Sequence, residues 1–431
     1  MNCNISRLLI PIFLILSHLS YAQEFKPSPE WQDNTHVQVY RMTQVETTPG
    51  EIRIPSKNLF TAVAVIAPSM QAFEGAYLKQ NNEILWLEHD PHSDSESQLI
   101  SNLESLPFGS DAPVYFFAPE GGEWEFVLVN SGTAPEIPRP SGTADAAQCD
   151  QPTAIPQSEW RSGLPAPSPG RSHANVSNLI VHHSAGSNSA TNYTQVVRDI
   201  YIFHTEYRGW SDVGYNYLIA QNGALYLGRD PESGAQDEVI GAHFCGGNTG
   251  TMGVCLLGTY TNIAPTDTTL GTLTSLLSWK AFKDDLDPLA TSPHRFNDNL
   301  GVIAGHRDGC DTECPGEKTY GLLQDIREAV DYRLQVCRGE IAPPPVIPQD
   351  SVLVYRLNST TRNMRIYAAV PSRVSIQETR LIDATGRPWP ARLEVWDENT
   401  WQLKLGGYPM GIYFLQMVVG GQVQTQRIMV W

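Results

Sequence analysis

The sequence predicts an α/β domain at the centre of the chain, a mixed sheet flanked by helices. A β-rich domain precedes it and an all-β, sandwich-like domain follows it. Three observations predict this arrangement. Between residues 150 and 338, short apolar runs alternate with segments of helical period, the pattern of strands joined by helices. Before residue 140 and after residue 350, short alternating runs recur between Pro and Gly with no helical period. Two stretches of spacer composition, 133–147 and 341–348, separate the blocks. The 431 residues exceed one ordinary core and allow two or three.

The elements follow in order. Arg7 precedes an apolar run over residues 8–16, and Ser20-Tyr21-Ala22 supplies small residues before Gln23. That layout predicts a cleavable export signal over residues 1–22, its apolar stretch too short to span a bilayer. The mature protein is therefore expected to be secreted, extracellular or at the cell surface. No later segment has the length and apolarity of a membrane span. Residues 23–140 form the first domain, with Val37-Gln38-Val39-Tyr40 and Trp124-Glu125-Phe126-Val127-Leu128-Val129 as its clearest strands.

In the central block, 150–338, Leu179-Ile180-Val181-His182-His183 reads as a buried strand. Residues 194–207 have helical period through Val197, Ile200, Tyr201 and His204, with Thr194 as the expected N-cap. Residues 215–220 and 224–227 flank Asn222-Gly223, a pair suited to a tight hairpin turn. Residues 252–257 read as another strand, and 272–286 and 321–337 as helices. The linker 339–350 is Pro-rich and extended, and the last domain, 351–431, alternates in short strands.

Charge narrows the partners. Lys and Arg number 29 against 46 Asp and Glu, a formal net charge of −17. Nucleic acid needs the opposite excess to meet its phosphates, and an anionic membrane surface likewise. Six cysteines follow the export signal: Cys149, Cys245, Cys255, Cys310, Cys314 and Cys337. An oxidising destination permits them to pair.

Three candidate metal ligands stand out: His182 or His183, then His306, then Cys314. Imidazole nitrogen and thiolate sulfur suit zinc, and three protein ligands with one open position describe a catalytic site. His182 and His183 are neighbours on a strand and point to opposite faces, so only one can meet a given ion. A loop, Gly305-His306-Arg307-Asp308-Gly309-Cys310-Asp311-Thr312-Glu313-Cys314-Pro315-Gly316, could return the other two to that strand.

The central block resembles the zinc amidase family that includes phage lysozyme-type amidases and the peptidoglycan recognition proteins. The similarity runs in order through nearly the whole block. It takes in Ile155-Pro156-Gln157-Ser158-Glu159-Trp160, Ile180-Val181-His182-His183-Ser184-Ala185 and Gly209-Trp210-Ser211-Asp212-Val213-Gly214-Tyr215-Asn216-Tyr217. It continues through Gly228-Arg229-Asp230, Gly241-Ala242-His243 and Gly253-Val254-Cys255-Leu256-Leu257-Gly258, then Gly305-His306-Arg307-Asp308 and Cys314-Pro315-Gly316.

The resemblance implies His182, His306 and Cys314 as zinc ligands, with a water in the fourth position. It implies Tyr215 and Thr312 as catalytic residues that orient the water or stabilise the oxyanion. It implies His204, Trp210, His243 and Asn248 as substrate contacts, and bacterial peptidoglycan or its muropeptides as the partner. The expected reaction is hydrolysis of the N-acetylmuramoyl–L-alanine amide, the alternative being a recognition protein that binds peptidoglycan without cleaving it. Members that only bind typically lack the cysteine ligand, which this chain has. The chain departs from the recognition proteins over residues 230–239, so the resemblance does not fix the stem type.

With Cys314 assigned to zinc, Cys255 is expected to stay outside any disulfide, in mid-strand where a small apolar residue serves. The remaining four cysteines allow three connectivities, of which Cys149–Cys337 and Cys245–Cys310 are preferred. The first domain is weakly similar to the β-rich module before amidase domains in some bacterial recognition-type proteins. We read it as a structural sandwich, glycan binding being the other reading. The last domain resembles a type IX secretion sorting domain through Leu381-Ile382-Asp383-Ala384-Thr385-Gly386-Arg387, Gly411-Ile412-Tyr413-Phe414 and Gln426-Arg427-Ile428-Met429-Val430. That likeness implies the type IX secretion machinery as a partner.

Overall fold

The computed structural model describes residues 24–28, 33–43, 50–90, 99–107, 112–119, 121–138, 149–340, 352–355, 364–368, 374–397, 400–419 and 421–430. The export signal, most of the first spacer and the Pro-rich spacer lie outside the described residues.

The first domain packs two antiparallel sheets face to face. One has the order Glu24–Pro27, Val37–Thr43, Glu123–Val129, Ala62–Ile66, Glu104–Ser105; the other has Ile52–Arg53, Val114–Phe117, Tyr77–Gln80, Glu83–Trp86. Alternation in a strand sends successive side chains to opposite faces. In the five-stranded sheet both faces are apolar. Tyr40, Met42, Val63, Val65, Phe126 and Leu128 point into the sandwich. Val37, Val39, Ala62, Ala64, Val127 and Val129 point out of it and join the core of the central domain. A sheet covered on both faces reads as a continuous apolar run, as Phe126-Val127-Leu128-Val129 does.

The mixed sheet of the central domain has the order Leu225–Leu227, Tyr217–Ile219, Thr251–Leu256, Asn178–His183, Ile303–Gly305. Only the first pair is antiparallel. Helices Asp267–Lys283 and Leu323–Cys337 cover one face. Helix Tyr193–Ile202 covers the other, against the first sandwich, and runs into a π-turn over Phe203–Tyr207. Such turns recur at functional sites because they redirect side chains mid-helix.

Some boundaries differ from the sequence reading. Asn192, not Thr194, caps the helix, its Oδ1 accepting from Gln195 N at 3.0 Å. The Thr194 hydroxyl is instead buried 3.2 Å from that of Tyr226. The next helix begins at Asp267 rather than 272, because Thr266 caps it by accepting from Thr269 N. A hairpin of Thr291–His294 and Asn297–Gly301 was invisible in a polar, non-alternating sequence. The Asn222-Gly223 turn stands as read, Gly223 at φ +80 where L side chains are strained.

Disulfides Cys149–Cys337 and Cys245–Cys310 match the preferred pairing, and Cys255 is buried outside any disulfide. Cys149–Cys337 ties the entry of the central domain to the end of its last helix. The last domain is a sandwich of two four-stranded sheets around its own core, which includes Ile366, Leu381, Trp401, Leu403, Leu415 and Met417. No helix among the described residues is long and apolar enough to cross a membrane.

Candidate metal centre

His182 lies at the carboxyl end of the parallel strand Asn178–His183, in register with Cys255, and His183 with Leu256. The alternation places His182 on the face shared with the first sandwich. His183 goes to the opposite face, where its Nδ1 accepts from Tyr260 N at 3.3 Å. The neighbouring strand Ile303–Gly305 ends directly in a 3₁₀ turn over His306–Asp308, so His306 emerges beside His182 with ring centroids 4.5 Å apart. Asp308 fixes that turn: its Oδ2 accepts from Gly305 N at 2.8 Å and its Oδ1 from Tyr320 Oη at 2.6 Å.

The loop then doubles back, Arg307 N donating to Cys314 O at 2.9 Å, and brings the fully buried Cys314 under the strand end. Cys314 Sγ lies 3.7 Å from His182 Nδ1 and faces the backbone N–H of His183 at 3.3 Å. His182, His306 and Cys314 have ligand atoms within 4.8 Å of one another, all three residues buried. Cys314 takes part in no disulfide.

Tyr215 stands beside this group, its ring 5.4 Å from that of His182. Buried Asp212 fixes its loop by accepting from Val213 N (2.7 Å), Asp230 N (2.8 Å), Arg171 Nη2 (2.9 Å) and Gln157 Nε2 (3.0 Å). Burial, more than the nearby thiols of Cys255 and Cys314, holds the phenol well above its ordinary pKa. It is therefore protonated at neutral pH, with the Cys255 thiol beside it. Thr312 is half-buried, and its hydroxyl oxygen accepts from Cys314 N at 3.1 Å, leaving the O–H as a donor. His204, from the π-turn, accepts from Gly214 N at 3.2 Å and lies 4.5 Å from the half-buried ring of Trp210.

His243 and Asn248 are turned to supporting tasks rather than outward. His243 Nδ1 lies 3.0 Å from His182 Nε2, and its Nε2 lies 3.3 Å from Thr251 Oγ1. The ring reaches this place because Gly253 and Gly241 leave room for it. A Cβ at either would come within 2.5 Å of His243 Cδ2. Asn248 Oδ1 accepts from His243 N (2.7 Å) and Phe244 N (2.9 Å) and so shapes the loop that carries the ring.

Residues 172–317, which contain this whole group, match the N-acetylmuramoyl-L-alanine amidase family. Peptidoglycan-recognition protein SC2 of Drosophila simulans is 30% identical over 174 residues, 40% of this chain and 85% of its own. The chain belongs to the family of N-acetylmuramoyl-L-alanine amidases and peptidoglycan-recognition proteins. Peptidoglycan-recognition protein LB of Drosophila melanogaster is likewise 30% identical over 172 residues; the chain spans 66% of its length. Among solved structures, that of wild-type Drosophila PGRP-LB is similar at 29% identity and a TM-score of 0.33, covering 40% of this chain and 92% of that one. The two flanking sandwiches fall largely outside these matches.

The donor set of this family member suits zinc. Zn–N bonds of about 2.05 Å and a Zn–S bond of about 2.3 Å at tetrahedral angles separate N from S by about 3.6 Å. The measured His182 Nδ1 to Cys314 Sγ separation is 3.7 Å. Bonding through Nδ1 requires His182 to carry its proton on Nε2. That proton is then donated to His243 Nδ1, which leaves His243 to donate from Nε2 to Thr251. His306 is backed differently, its Nε2 lying 3.7 Å from Cys245 Sγ of the Cys245–Cys310 disulfide.

Nothing in the sequence signals that the first domain reaches the loop after His183. Asn102 Nδ2 donates to Ala185 O at 2.8 Å, and Glu104 Oε2 accepts from Ser187 N at 3.1 Å. Ala185 has φ 57, an unusual conformation for a residue with a Cβ, three positions after His182. Asp90 pairs with Arg208 at 2.8 Å, just beyond His204. Alternation shows that such residues face away from the sandwich core, but not what they meet.

Proposed function

We propose that this family member is a zinc-dependent amidase that hydrolyses the bond between N-acetylmuramic acid and the L-alanine of the peptidoglycan stem. The observation that carries the reading is Cys314, kept outside any disulfide with its sulfur 3.7 Å from His182 Nδ1. His182, His306 and Cys314 would hold the ion. Zinc bound there supplies Lewis acidity toward the scissile carbonyl and lowers the pKa of a water to about 7.

The chain's own residues do the rest. Tyr215, kept protonated by burial, donates its O–H to the carbonyl oxygen as charge develops on it. Thr312, whose oxygen accepts from Cys314 N, offers a second O–H. The His243–Thr251 pair fixes the His182 ring and its tautomer. His204 packs between Trp210 and Tyr215, and the glycopeptide would lie against these rings. The resemblance of residues 1–22 to an export signal and of 351–431 to a sorting domain supports an exported enzyme.

The test is release of new amino termini from purified peptidoglycan, together with metal content. Wild-type protein should hold about one zinc per chain and release amino termini. Cys314→Ala should lose both. Equal release by the two proteins would refute the reading. The names of the relatives favour one alternative, a recognition protein, which would bind peptidoglycan without turnover whether or not a chelator is present.

A further inference from the structure

The two sheets of the first sandwich have unlike outer faces. That of the five-stranded sheet is sealed against the central domain. That of the four-stranded sheet carries aromatic side chains outward. Pairing register aligns Trp86, Tyr77 and Phe117 across three adjacent strands. Ile84, Lys79 and Tyr115 form the next row. The core takes the alternate positions, Leu78, Leu85, Val114 and Phe116. Trp86 is 56% exposed and Ile84 43%, while Tyr77 and Phe117 are half-buried.

The three rings pack against one another. Tyr77 stacks on Phe117 at 4.9 Å and 21°, and meets Trp86 edge-on at 5.5 Å. Beside them Glu51 accepts from Lys79 Nζ at 2.7 Å and from Tyr77 Oη at 3.2 Å. Soluble proteins rarely leave such apolar rows uncovered without a use for them.

We propose that this face binds the glycan strand of peptidoglycan while the cleft acts on the stem peptide. The proposal takes its polymer from the function proposed above. The negative π-face of an aromatic ring attracts the weakly positive C–H face of a pyranose, and Trp86, the most exposed of the three rings, has the most surface to offer one. Neighbouring strands lie about 4.8 Å apart, so the row spans about 10 Å, the scale of two linked pyranoses. Glu51 and Lys79 stand where hydroxyl and acetamido groups of such a chain would pass.

Continuity with the catalytic unit favours this occupant. Strand Glu83–Trp86 leads within four residues to Asp90, which pairs with Arg208 beside the cleft. The platform is thus held rigidly to the domain that would cut the same polymer. A net charge of −17 sets the surface against anionic polymers and favours a chain whose sugar backbone is largely uncharged.

The test uses the full chain and peptidoglycan glycan strands whose stem peptides are removed and whose freed lactyl carboxylates are capped as methyl amides, so that the backbone stays uncharged. Wild type should sediment with the strands, and Trp86→Ala, an exposed site that folding tolerates, should weaken binding about tenfold. The double variant Trp86→Ala, Tyr77→Ala should weaken it further. On intact sacculi Trp86→Ala should raise KM about tenfold with kcat unchanged, and turnover of a soluble muramoyl-peptide should not change. Strand binding equal in wild type and Trp86→Ala, or absent from both, overturns the proposal. So does a wild-type dimer that Trp86→Ala dissolves, since the face then receives a second copy. Strand binding lost in Trp86→Ala by a protein that never hydrolyses the amide upholds this site and sinks the amidase reading. Hydrolysis indifferent to Trp86 on every substrate does the reverse.

Discussion

The two flanking domains are both two-sheet sandwiches, but they meet the central domain in opposite ways. In the first, Val37, Val39, Ala62, Ala64, Val127 and Val129 share one apolar core with Val197, Ile200 and Tyr201 of the central helix. Polar groups are buried in that seam as well. Asp199 accepts from Ser131 Oγ (2.5 Å), Thr61 Oγ1 (2.6 Å), Ser105 Oγ (2.8 Å) and Gln195 Nε2 (3.1 Å). Arg198 donates to Ser131 O at 2.7 Å and Trp160 O at 2.8 Å, joining both sides. The last domain closes its core on itself, with strand Leu393–Asp397 lying near helix Asp267–Lys283. The contrast teaches that spacer composition does not tell whether domains are independent. What decides is whether a sheet's second face is apolar.

The largest expected effect follows from that seam. Removing residues 1–138 would uncover an apolar face and leave Asp199 and Arg198 without their partners across it. The remainder should fail to give a cooperative unfolding transition by circular dichroism. A cooperative transition like that of the whole chain would show the seam to be incidental.

A single substitution sharpens the point. Asp199 is fully buried, and burial raises its pKa against four hydrogen bonds that lower it. Asp199→Ala deprives three hydroxyls of the first domain of their common acceptor. It should cost about 3 kcal/mol in denaturant unfolding. A loss below about 0.5 kcal/mol, the range of ordinary surface changes, would contradict the account.

The central domain and its site were the most legible parts of the chain. His182 and His183 could be split between faces by alternation alone, and the mixed sheet followed from strands separated by helices. Cys314 stood out as a candidate ligand by residue type, whereas the choice of His182 over His183 and the roles proposed for Tyr215 and Thr312 came with the ordered motifs. What stayed hidden depends on contacts between distant segments. His243 carries no sequence mark that it sits behind His182, because the glycines that admit it, Gly241 and Gly253, look like turn and strand glycines. Asn102 and Glu104 are ordinary polar residues until the first domain docks. Asn192 lost to Thr194 as the expected cap because both are good caps, and only tertiary packing against Tyr226 separates them.

Glu104 offers a pH probe of the seam. Burial pushes its carboxyl up to about 8, outweighing the hydrogen bonds from Ser187 N–H and Asn102. The folded protein therefore binds a proton that the unfolded chain releases near 4.5, the ordinary glutamate value. This contribution is fully present below about 4.5 and is lost as pH rises toward 8. Its slope is at most about 1.4 kcal/mol per pH unit. Subtracting the profile of Glu104→Gln from that of wild type isolates it from the histidines that titrate in the same window. Parallel profiles between pH 5 and 8 would show that Glu104 stays ionised in the seam.

The smallest expected effect belongs to the last domain. Among the described residues its core, Ile366, Leu381, Trp401, Leu403, Tyr413 and Leu415 included, is a cluster separate from those of the central domain. The central domain also ends before it, since Cys337 closes the last helix back onto Cys149. A chain ending at Glu340 should thus keep the unfolding midpoint of the remainder within about 0.5 kcal/mol, the range of surface changes. On the proposed function it should also bind zinc as the whole chain does, because His182, His306 and Cys314 are positioned by strands and a loop that this truncation leaves whole. A midpoint that falls as far as that of Asp199→Ala would mean the two sandwiches are both parts of one folding unit. The asymmetry between them would then lie in how the seams are built rather than in what they contribute.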